Sequence, residues 1–196
     1  MRVSQLLLSA GISFIMIVLP AASARAASAC VAAKPTPASN TWAFQKEADD
    51  IFEAIQSDAT QARYHAEELS SFALDEELSP ESHAIELMQL RSAINDVGER
   101  LCRLETIRRV VAPWQQRTID RIATTTRLLA DNAQDAIVFE NSNPRILWSP
   151  VYRKYVNNLY SEARNLDESV TNAVQFAKVN TEYQELRKDL GAKTSS

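Results

Sequence analysis

Two cysteines, two histidines and three methionines are the residues through which this chain could hold a metal or a haem. Covalent haem attachment needs Cys-x-x-Cys-His, and Cys30 and Cys102 stand far apart without that context. A di-iron centre in a helical bundle needs Glu-x-x-His on two helices. Here the residue three before His65 is Ala62 and the residue three before His83 is Pro80. Non-covalent haem would take an axial His or Met, which leaves His65, His83 and Met88. His65 falls beside the seam residue Ala66, and His83 falls in the first turn of a helix, so both are expected on a flank or at a wet bundle end. No cofactor and no metal site is expected.

Catalytic patterns are equally sparse. With Gly98 and Gly191 as the glycines beyond the N-terminal segment, no Gly-rich loop can cradle a phosphate. The acid pairs Glu67 with Glu68, and Asp75 with Glu76 and Glu77, could do acid–base work, but they read as a solvated flank and a polar turn. Asn180 is the polar residue at a core-type position of the last helix, where a buried Asn fixes register or oligomer state. The chain is therefore expected not to be an enzyme.

The N-terminus sets the redox context of the cysteines. Arg2, the apolar run Leu6 to Leu19, Pro20 and a stretch of small residues make a secretory signal peptide over residues 1–29, with cleavage after Ala24 or Ala29. Periplasmic or secreted localisation follows, and after cleavage no apolar run approaches the length of a membrane span. The rival reading, a lipid anchor on Cys30, lacks the large aliphatic residue normally found three positions earlier, where Ala27 stands. Residues 30–40, reading CVAAKPTPASN, form an extended arm because Pro35 and Pro37 remove backbone donors. In an oxidising compartment the arm could place Cys30 against Cys102, with Gly98 one turn earlier leaving room for it. A Cys30–Cys102 disulfide is the expectation.

Four amphipathic segments must position whatever the chain does. Heptad-spaced seams run through Phe44, Ala48, Ile51, Ile55, Ala59, Ala62, Ala66 and Leu69; through Leu87, Leu90, Ile94, Val97, Leu101 and Leu104; through Ile119, Ile122, Thr126, Leu129, Ala133 and Ala136; and through Tyr152, Val156, Leu159, Ala163, Leu166, Val170, Ala173 and Ala177. Ser79-Pro80 and Ser149-Pro150 start the second and fourth helices, Pro113 starts the third, and Gly191 is expected to end the fourth, leaving residues 192–196 as a frayed tail. The fold class is all-α: an up-down-up-down four-helix bundle over residues 41–191.

Charge narrows the partners. The formal net charge is −4, and removal of Arg2 and Arg25 with the signal takes it to −6, which argues against nucleic acid. Acids dominate from Lys46 to Glu86 and arginines from Arg91 to Arg127, so acidic and basic helices are expected side by side, the rival reading being an arginine face for an anionic ligand. Near the C-terminus the apolar stripe changes register, from Ala173, Ala177 and Asn180 to Phe176, Val179, Tyr183, Leu186 and Leu190. A stripe that turns must meet a different neighbour, either the arm or a second copy of the chain. Candidate partner contacts are Tyr183 and Leu186 there, and Ile146, Leu147 and Trp148 at the other end, where these residues could instead cap the core. The expected function is an exported non-enzymatic bundle acting through protein–protein contacts, as a scaffold, chaperone-like or envelope component. The alternative is a carrier of an apolar or anionic small ligand, walled by the alanine-rich middle of the first and last helices.

Overall fold

A computed structural model describes residues 41–193, with side chains from 43 to 191. Residues 1–40, where the signal peptide, the arm and Cys30 of the expected disulfide fall, the side chains of Thr41 and Trp42, and residues 194–196 lie outside the described residues. Four helices follow in order: α1 (Thr41–Phe72), α2 (Pro80–Ile107), α3 (Pro113–Ser142) and α4 (Pro150–Lys193), with a 3-10 turn at Arg108–Val110. Helix α1 packs on α2 and α4, and α3 packs on the same two, so the helices form a ring of four in up-down-up-down order.

The helix starts follow local chemistry. The Ser79 side chain accepts from the Ser82 amide at 3.3 Å, and the Ser149 hydroxyl accepts from the Tyr152 amide at 3.4 Å, each ahead of a proline whose missing N–H had no helical partner. At α3, where Ala112 has no capping side chain, Gln115 substitutes. Its Oε1 accepts from the Ala112 amide, while its Nε2 donates to the Gln45 carbonyl and to Asp49, both at 2.8 Å. Gln115 is buried, and it ties the first turn of α3 to the first turns of α1. Burial pushes the Asp49 carboxyl above its usual range, against the lowering effect of the Gln115 hydrogen bond.

The core collects the seams. On α1, Phe52 is fully buried and Phe44 and Ile51 only partly so, because a helix touching two neighbours buries a stripe wider than a two-position seam. Ala59, Ala62 and Ala66 of α1 are fully buried, as is Ala163 of α4. Small residues let the two backbones approach, and polar bonds flank the contact: Gln56 to Thr171 at 3.0 Å, Thr60 to Asp167 at 2.8 Å, Arg63 to Asp167 at 2.9 Å and Ser70 to Asn157 at 2.8 Å. The acidic and basic helices are neighbours, as their charge implies. Arg100 pairs with Asp58 and Arg103 with Glu47 across α1 and α2. Such surface pairs contribute little energy and act mainly in the choice of neighbour.

Three sequence expectations are corrected. Helix α4 does not end at Gly191 but runs through it to Lys193, with the glycine exposed and not at a positive φ, so the residue does not serve as a left-handed cap. Asn180 is exposed, not a core residue, and lines a polar groove against the first turns of α1. His83 is buried to 1% exposure although it lies in the first turn, since Phe72, at the end of α1, and Tyr152, in the first turns of α4, close over it.

Candidate functional site

The C-terminal third of α4 is the feature that the bundle does not absorb. Core-facing residues run through Val170, Ala173, Val174 and Ala177, all buried, and burial stops there. Continuing down the same side of the helix at 100° per residue come Thr181, Gln184 and Lys188, with Asn180 nearby. That face is polar, and between it and the first turns of α1 lies a groove of about 780 Å³. Its walls carry the acids Asp49, Asp50, Glu53, Glu182 and Glu185 and the lysines Lys46, Lys178 and Lys188. Lys178 reaches Glu53 at 3.4 Å across it.

The apolar residues are on other sides of the helix. Phe176, Val179, Tyr183, Leu186 and Leu190 lie between 100° and 180° around α4 from Ala177, and each is more than half exposed, at 51%, 63%, 60%, 63% and 65%. Scattered apolar residues on a surface are ordinary, but a stripe at steps of three and four on one helix is a continuous patch. Phe176 anchors it to the body. Its ring meets Trp114 edge-on at 4.8 Å, and Trp114 in turn meets the buried Phe52 at 6.1 Å.

The other candidate contact residues separate. In the α3–α4 connection Leu147 is buried in the core, whereas Ile146 and Trp148 are each 41% exposed. Leu147 caps the core, so the three do not form one exposed anchor. Trp148 and Tyr183 are at opposite ends of α4, on the order of 50 Å apart at 1.5 Å per residue, and belong to no common surface.

At the Trp148 end lies a buried polar cluster that sequence reasoning missed. His83 stacks edge-on with Phe72 and with Tyr152, whose ring also lies against Phe139 at 5.7 Å. The Nδ1 of His83 and the hydroxyl of Tyr152 are buried without a hydrogen-bond partner. Burial lowers the His83 pKa, while burial and the neighbouring Glu140 push the Tyr152 hydroxyl well above its ordinary range. His65, the second histidine, is half-buried and holds Glu86 of α2 at 2.7 Å through Nδ1. Neither histidine faces a second ligand: among the described residues no group of three His, Cys, Asp or Glu side chains could hold a metal ion. Cys102 lies half-buried on α2, one turn after Gly98, where an added Cβ would meet no atom within 4 Å. Among the described residues no helix is long and apolar enough to cross a membrane. No family model matches the chain, and comparison with curated proteins and with solved structures finds no match.

Proposed function

We propose that this is an exported, non-enzymatic helical-bundle protein that acts through protein–protein contacts, as a scaffold, chaperone-like or envelope component, with the exposed stripe of α4 as its contact surface. The observation that carries the reading is the stripe itself. Phe176, Val179, Tyr183 and Leu186 sit on a segment that is already helical, so a partner covering them orders side chains but not backbone on this side. Export is supported by the charged, apolar and small-residue zones of residues 1–29. A Cys30–Cys102 disulfide in the exported chain is supported by the two-cysteine count and by the open surface at Gly98 beside Cys102.

The carrier alternative draws less support. The alanine-rich middle of α1 and α4 is packed shut, and the groove at the bundle end has five acids to three lysines, unsuited to an apolar or anionic ligand.

A photo-crosslinking side chain placed at Val179 or Leu186 in the producing cell tests the contact reading. Covalent adducts with polypeptide are expected at these positions and not at Asn172, on the polar stretch of α4 preceding the stripe. Equal labelling at all three, or none, overturns it. Intact mass of the exported protein should start after Ala24 or Ala29, and without reductant it should be lighter by two hydrogens.

A further inference from the structure

We infer that the partner of the α4 stripe is a second copy of this chain, whose own α4 runs alongside in parallel as a short two-stranded coiled coil; this rests on reading the stripe as a contact surface. With Phe176, Tyr183 and Leu190 at the first core position of each heptad, Val179 and Leu186 take the second. The flanking positions then follow. Gln175, Glu182 and Asp189 precede the first core position, and Asn180 and Arg187 follow the second.

Those flanks select the partner and its direction. In a parallel pair the residue before the first core position meets the residue five further along the other chain, so Glu182 meets Arg187 of the second copy, twice by symmetry, and Gln175 meets Asn180. In an antiparallel pair the acidic flanks, Glu182 and Asp189, would face each other and repel. Glu182 and Arg187 are exposed, and within the described residues neither takes part in an ion pair, so both are available. The segment 176–191 carries Lys178, Arg187 and Lys188 against Glu182, Glu185 and Asp189, three charges of each sign, so two copies meet without net repulsion.

The bundle permits this pairing. The stripe lies 100° to 180° away from the core-facing side, so two bundles stand on opposite sides of the paired helices. Before Phe176 the same heptad positions are Asn172, Ser169 and Asn165, so apolar contact ends there. An interface of roughly two heptads is at the small end of specific contacts, and the dimer is a reversible one. The residues of the arm, with Val31 as the lone large aliphatic among residues 30–40, offer the stripe little to bury against.

Sedimentation of the full mature chain, across a wide concentration range, reads the equilibrium directly. Glu182→Arg and Arg187→Glu should each weaken dimerisation about tenfold, because each reversal sets two like-charged contacts across the symmetric pair, and the double reversal should restore it to within about threefold. Helicity of all variants is followed in parallel by circular dichroism; the substitutions lie on an exposed segment. A monomer at every concentration, single reversals without effect, or a double reversal without rescue overturns the inference. Photo-crosslinking at Leu186 separates it from its premise. An adduct of twice the chain mass supports self-pairing. An adduct with a different polypeptide, or an internal one with residues 30–40, overturns the second copy but not the stripe's role as a contact surface. No adduct overturns both.

Discussion

His83 lies between the rings of Phe72 and Tyr152 with its Nδ1 unpartnered, and burial holds its pKa below the ordinary histidine value. The linkage sign follows. The unfolded chain takes up a proton near pH 6.5 and the folded chain only at lower pH, so the stability that depends on a neutral His83 is complete above about pH 6.5 and is lost as pH falls below it. Replacing His83 by Leu removes both the orphaned nitrogen and the proton uptake. Urea denaturation of the wild-type chain should lose stability between pH 7 and pH 5, and His83→Leu should flatten that loss while keeping or raising stability at pH 7. A slope unchanged by the substitution would assign the loss to other groups. Glu140 works in the opposite sense: burial, then Glu81, raise its pKa, so it costs stability when ionised and the cost fades as pH falls. The sequence placed His83 in the first turn of its helix and hence in water, and a single-helix pattern could not show that aromatic rings from two other helices close over it.

At the scale of elements, the α1–α4 contact illustrates what periodicity can and cannot convey. The steps of three and four located Ala59, Ala62 and Ala66 on a buried stripe before any fold was known. They could not say whether the space beside three small residues was filled by an approaching backbone or left as a ligand cavity. The structure leaves no exposure there: the three alanines and Ala163 of α4 are fully buried, and Thr60 and Arg63 bond to Asp167 at the α1–α4 edge. Ala62→Leu should therefore force the helices apart and destabilise the bundle by about 1–3 kcal/mol in urea titration. An unaltered or raised stability would mean that the contact has room for a larger side chain. Gln115 is the other lesson at this scale. Its spacing gave no sign of function, yet it bonds the α3 start to α1 at Gln45 and Asp49, a role that exists only when two helix ends meet.

For the molecule as a whole, the bundle and the α4 extension are separable. Among the described residues none after Ala177 is buried, so the extension presents its side chains outward and not to the core. Truncation after Lys178 keeps the Lys178–Glu53 pair and should change the unfolding free energy of the bundle by less than about 0.5 kcal/mol, measured at concentrations where the chain is monomeric. A loss of several kcal/mol would show that the extension braces the bundle. Its loss should instead abolish whatever contact the stripe makes.

What the amino-acid order determined by itself was the number of helices, their starts at Ser-Pro and at Pro113, their buried faces and the change of stripe near Phe176, because each depends on neighbours within a turn or two. What only the tertiary structure decided was which polar groups are shut away and which apolar ones stay out. His83 and Gln115 are buried, Leu147 is drawn into the core, and Asn180 and the stripe from Phe176 to Leu190 remain in water. Burial is a property of the space between helices, set by where each one ends against the others, and no spacing along one helix contains that information.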